Sequence, residues 1–214
     1  MRNLTLFTIV FFFVLISCSE NDDIDEINVT TQETKLSQQE IDDLKFLREE
    51  EKLARDVYLF SFDKYEDPIF SGISQSEQLH MDNVLTLLNE YEIADPASTE
   101  RGVFTDELLQ NLYDSLIAQS DQSLVDALIV GAIIEDLDIK DLKELRLTSN
   151  KDDIIEVCEI LECGSRNHMR NFTNQLELNN TLYTPIYISL EEYNEIISSP
   201  FEFCGAYYNY PITQ

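Results

Sequence analysis

From Ser37 to about Leu178 apolar residues return every three or four positions, in runs too long for strands. Such a chain can bury its apolar surface only as long helices packed side by side. Helix signals punctuate the pattern. Ser37 and Glu40 have capping-box spacing, with Leu36 and Ile41 at the staple positions. Asp67-Pro68 offers an N-cap followed by proline at the first helical position, and Asn150 precedes Asp152 and Asp153 at a fourth long run. The spacing predicts long helices over 37–65, 68–92, 122–145 and 150–178, with a short one near 106–118. Glycine and proline number only 5 each, consistent with few interruptions. Two helices, a long connection and two more helices make an all-α four-helix bundle with one long crossover. A segment from Asn179 onward, rich in tyrosine and with a capping box at Ser189 and Glu192, is expected to pack along the bundle as a C-terminal extension with one short helix.

The first residues are expected to be an address. Arg2 and the apolar run Leu4–Ile16 fit a secretory signal peptide over 1–17, too short for a comfortable membrane span. The run ends Leu15-Ile16-Ser17-Cys18, which resembles a lipobox and implies acylation of Cys18 and anchoring to a membrane, with the protein in the cell envelope of a Gram-negative-type bacterium, at the outer membrane. Residues 18–36 are acidic and poor in apolar side chains, so they read as a tether, and they resemble the export signal of Bacteroidota surface lipoproteins. The bundle occupies 37–178 and the extension 179–214.

With 42 acidic and 14 basic residues the net charge is -28, which excludes nucleic acid as a partner because phosphate binding needs a basic face. Beyond Cys18 the cysteines are Cys158, Cys163 and Cys204. Three cysteines cannot all pair within the chain, and Cys158 and Cys163 share one predicted helix in poor geometry for a bridge; an oxidising compartment leaves open a pairing of Cys204 with one of them.

The chain has two histidines, and both fall on inner helix faces. Glu77 and His80 have the Glu-x-x-His spacing that turns both side chains to one face, shared with Ile73, Val84 and Leu87. His168 lies in the arc of Val157, Leu161, Phe172 and Leu176. On the first helix Glu50 lies near the centre of the apolar arc and Glu51 at its edge; on the third long helix Glu135 follows the apolar run Leu128–Ile134, with Asp138 a turn later. Every long helix thus offers an inward carboxylate or imidazole, and carboxylates converging in a core need a cation or protons.

The stretch Glu51-Lys52-Leu53-Ala54-Arg55-Asp56-Val57-Tyr58 resembles the first metal-binding helix of rubrerythrins and related ferritin-like proteins, and Ser76-Glu77-Gln78-Leu79-His80 their second. Glu135 and Asp138 match acidic positions on their third helix. More closely, Phe46 to about Phe172 resembles an uncharacterised bacterial ferritin-like family, domain of unknown function 2202, above all at Phe46–Asp56 and at Gly164-Ser165-Arg166-Asn167-His168. The resemblance implies a ferritin-like fold and a metal site in which Glu51 and Glu135 are terminal carboxylates, Glu77 bridges, and His80 and His168 supply imidazoles. It selects Glu51 where the apolar arc favours Glu50. Tyr58 is then either a phenol beside a ligand or plain core packing. One departure stands out: three residues before His168 the chain has Ser165 where a symmetric di-iron site has glutamate, with Glu162 a turn further back. A single ion and an asymmetric pair both fit that ligand set.

An oxygen-and-imidazole donor set suits iron or manganese, and equally zinc. The expected function is therefore an envelope lipoprotein binding iron or manganese, as an oxidase, a peroxidase or a metal-sequestering protein. The alternative is a metal-free surface or periplasmic binding or scaffold module, with Glu77 and His80 satisfying each other and the tyrosine-rich tail as contact surface.

Overall fold

The computed structural model describes residues 35–205. The leader, the Cys18 motif, most of the tether and residues 206–214 lie outside the described residues. Six helices and no strands are found within them: α1 (Gln38–Tyr65), α2 (Pro68–Glu90), α3 (Glu107–Ser120), α4 (Leu124–Thr148), α5 (Asp152–Leu178) and α6 (Leu190–Ser198). None is long and apolar enough to cross a membrane.

The starts of α1 and α2 follow from their caps. Ser37 Oγ accepts from the Glu40 amide while the Glu40 carboxylate accepts from the Ser37 amide, and Asp67 accepts from the Ile69 amide ahead of Pro68. The expectation at Asn150 is corrected: α5 is preceded by Lys151, with no side-chain cap, and the first-turn charges of Asp152 and Asp153 serve the helix end instead.

Helices α1 and α2 form one hairpin and α4 and α5 another; α1 packs on α4 and α2 on α5. The crossover between hairpins carries α3, which lies on α1 and α4. Because α3 covers the side of α1 that a simple bundle leaves wet, every residue from Leu47 to Ala54 is buried, including five charged ones. Three of those charges, Arg48, Glu49 and Lys52, hold the crossover. Arg48 donates to Asp95 and to the Met81 carbonyl. Glu49 accepts from the Thr105 and Asp106 amides at 2.6 and 3.0 Å. Lys52, fully buried, donates to Asp56 (2.5 Å) and to the Glu100 carbonyl, and lies 4.3 Å above the Phe104 ring. Asp56 in turn accepts from the Gly102 amide. A buried ammonium is tolerated because two of its donors meet oxygen acceptors, one of them an ionic partner, and the charge lies over an aromatic face.

The extension is strapped down at two places. Asp136 of α4, fully buried, accepts from the Tyr183 hydroxyl and from the backbone amides of Ile186, Tyr187 and Ile188. Past α6, Arg166 and Arg170 of α5 pair with Glu202, and a Cys163–Cys204 disulfide closes the strap, leaving Cys158 as a buried free thiol. Tyr183 and Tyr193 are buried against the bundle, so this part of the tail is core and not the contact surface of the alternative reading.

Candidate metal centre

Midway along the bundle four helices aim side chains at one volume: Glu51 from α1, Glu77 and His80 from α2, Glu135 from α4 and His168 from α5. All five are buried. The atoms fall into two groups, Glu51–Glu77–His80 and Glu77–Glu135–His168, and Glu77 belongs to both. Its Oε2 lies 2.8 Å from His80 Nδ1 and its Oε1 lies 2.8 Å from His168 Nδ1. Glu51 Oε2 is 3.1 Å from His80 Nδ1, and Glu135 Oε2 is 3.4 Å from His168 Nδ1. The two imidazole rings are stacked with centroids 5.5 Å apart.

Those separations lie near hydrogen-bonding range, yet both Glu77 oxygens, Glu135 Oε2 and His168 Nδ1 are buried without a hydrogen-bond partner of acceptable geometry. Only the Glu51–His80 pair has hydrogen-bond geometry; the other atoms sit side by side, aimed past one another. Donors about 2.1 Å from a shared ion and at right angles lie about 3 Å from each other, which is the spacing seen here. Orphaned buried carboxylate oxygens are costly unless a cation completes them. The residues therefore fit a metal of the iron, manganese or zinc type.

Without a metal the charges lean on protons. Burial pushes the Glu51 carboxyl up to about 7, against the pull of His80. Burial also raises Glu135, with His168 opposing. Glu77 goes the other way: desolvation is outweighed by His168 and His80, and the carboxylate stays ionised. Both imidazoles are lifted despite burial, His80 well above its ordinary value by Glu77 and Glu51, and His168 to about 9 by Glu77 and Glu135.

A further ring of residues fixes the donors. His168 Nε2 lies 2.9 Å from Ser76 Oγ, which leaves Nδ1 turned inward. The Tyr58 hydroxyl donates to Glu135 Oε1 at 2.5 Å and is packed tilted against Phe172. Burial, and then Glu135, hold that phenol well above its usual range, so it stays a donor. Tyr58 thus both packs and positions. Gly164 on α5 passes directly over His80: a Cβ there would lie 2.5 Å from Nε2. Gly131 on α4 is likewise filled by the Phe172 ring. Sequence reasoning gave Ser76 and Gly164 no role, although a glycine inside a helix costs about 1 kcal/mol against alanine and so asks for a packing reason.

The other sequence candidates lie beside the centre. Glu50 and Asp138 are buried but belong to neither ligand group. Ser165 turns back to the Leu161 carbonyl, and Glu162 pairs with Arg146 and Arg166 instead of reaching inward.

Residues 40–200 match the family model described as "Uncharacterized protein domain (DUF2202)". The chain is 50% identical over 168 residues to "Uncharacterized protein MJ0754" of Methanocaldococcus jannaschii, a match covering 78% of this chain and 91% of that relative. The crystal structure titled as hypothetical protein MJ0754 from Methanococcus jannaschii superposes with a TM-score of 0.77, covering 78% of this chain and 96% of that one. An archaeal relative so similar widens the family beyond the bacterial membership implied by the sequence resemblance. By family model and relative alike, this chain belongs to the DUF2202 family.

Proposed function

We propose that the protein is a ferritin-like metalloprotein of the cell envelope, holding a pair of iron or manganese ions in a carboxylate–histidine centre and tethered to the outer membrane through acylated Cys18. One observation carries the metal reading: the two oxygens of Glu77 each lie 2.8 Å from the Nδ1 of a different histidine, without hydrogen-bond geometry. That is the placement of a carboxylate that bridges two ions. The two-hairpin order with one crossover, and Glu-x-x-His on α2, support the ferritin-like relation.

In this reading Glu51 and His80 would hold one ion and Glu135 and His168 the other, with Glu77 shared by both groups. Iron or manganese supplies one-electron redox chemistry when bound, which makes an oxidase or peroxidase reading available beside sequestration. The chain's own contribution is positional. Tyr58 holds Glu135, Ser76 holds His168, and the close passage of α5 at Gly164 holds His80.

Metal analysis of the full chain purified without chelator tests the proposal. About two ions per chain are expected, with most of them lost in His80→Ala and in His168→Ala. A wild-type protein that stays metal-free when offered iron and manganese would return the molecule to a metal-free binding module. Unchanged metal content in His80→Ala would make the cluster a structural one.

A further inference from the structure

Two carboxylates beside the centre are left without a task. Asp138 is 2% exposed and neither of its oxygens has a hydrogen-bond partner; Glu50 is 2% exposed and its Oε1 has none. Burying such groups is costly, and neither fills a ligand position. Their placement forms a series. On α4, Glu135, Asp138 and Asp141 follow at three-residue steps, one turn each, from the centre outward. Asp138 lies in the field of Glu50 and of three residues of the centre, Glu51, Glu135 and Glu77. Glu50 meets the Asp141 carboxyl directly. Glu50 and Asp141 then line a cleft of about 500 Å³ between α1 and α4, whose rim carries Asp43 and Glu144. Lys140 stands at that rim, paired with Asp141 at 2.6 Å and Glu144 at 3.1 Å, on a flexible and partly exposed side chain.

We infer that this cleft is the route by which a hydrated divalent cation enters the centre, with Glu50 and Asp141 at its throat and Asp138 as the last carboxylate before Glu51 and Glu135. The inference rests on the metal reading above. Successive carboxylates a helical turn apart let an ion exchange its water shell stepwise, and an acidic cleft with low-dielectric walls raises the local cation concentration. Lys140 occupies the rim as an exchangeable counter-ion and swings away when a divalent ion arrives. Another cleft, of about 600 Å³ and with His168 in its lining, is bordered by Asn171, Asn174 and Gln175 with Asp67 as its single carboxylate, and offers no such series.

The test is the rate of Mn²⁺ uptake by the full, chelator-stripped chain, followed in a stopped-flow instrument by recovery of a fluorescent chelator that Mn²⁺ quenches. Equilibrium Mn²⁺ per chain is measured separately after desalting. Asp138→Asn and Glu50→Gln should each slow uptake about tenfold at low ionic strength and leave the final Mn²⁺ content unchanged. Asp141→Asn, at the half-buried outer side of the throat where substitution is tolerated, should slow it in the same direction, and added salt should slow wild type more than the variants. Uptake rates within about twofold of wild type in all three variants would overturn the route. So would a fall in final Mn²⁺ content in Asp138→Asn or Glu50→Gln, since those residues would then be ligands of the centre. A wild-type chain that takes up no Mn²⁺ and no Fe²⁺ sinks the metal reading itself, a result distinct from either.

Discussion

Gly164 lies against the His80 imidazole so closely that a methyl group at that position would sit 2.5 Å from Nε2. Gly72, on α2, has nothing within 4 Å of the same imagined atom. Replacing an exposed mid-helix glycine by alanine ordinarily stabilises by about 0.5–1 kcal/mol. Gly72→Ala should show that gain in chemical denaturation. Gly164→Ala should show the opposite sign, and should weaken metal retention by displacing His80; equal stabilisation by both substitutions would refute the close-approach account.

Stability of the metal-free protein should fall as pH rises. Glu51 moves from an ordinary value of 4.5 to about 7 on folding, and His168 from 6.5 to about 9. A group whose pKa is raised in the folded state contributes stability below its unfolded value and loses it as pH climbs through the folded one. Both groups therefore remove stability between about pH 4.5 and pH 9, whereas Glu77, held low, acts only on the acid side. Melting temperatures of chelator-treated protein should decline from pH 5 to pH 9. Metal loading should flatten that slope and release protons, detectable in a weakly buffered solution.

The tail should be separable from the bundle by one side chain. Asp136→Ala leaves a tyrosine hydroxyl and three backbone amides without their acceptor, at a cost of about 3 kcal/mol or more. Limited proteolysis should then cut near residues 183–188. The Cys163–Cys204 bridge keeps the fragments joined until a reductant is added. Unchanged cleavage kinetics would show that Asp136 is not the anchor.

Replacing Cys18 by serine should move the protein from the membrane fraction to the soluble one. Retention with membranes would dispose of the lipid anchor.

The sequence made the helices legible where local chemistry decides them, at the Ser37 and Asp67 caps. It failed at Asn150, where neighbouring acidic residues looked like support for a cap, while the N-cap position falls on Lys151, whose side chain makes no cap bond. Periodicity favoured Glu50, yet it is Glu51 that joins a ligand group, and the reason is physical. An apolar arc discriminates only when one side of a helix faces water, and the crossover encloses α1 through those turns. Glu162, a turn before Ser165, is drawn away from the centre by Arg166 four residues on, a pairing legible at helical spacing, and by Arg146 of α4, which no local spacing reveals. Asp136 was invisible because three of its four partners are backbone amides, which any sequence supplies.

The two ligand groups differ in how far the chain must travel to assemble them. Glu51, Glu77 and His80 all come from the first hairpin, and the Glu51–His80 contact spans 29 residues. Completing the group of Glu77, Glu135 and His168 draws on α2, α4 and α5, so it exists only once the second hairpin has closed over the first. A ribosome-bound chain ending before α4 already encodes the whole of one half-centre. Under partial unfolding the order reverses, and the half that depends on distant segments is the first to come apart.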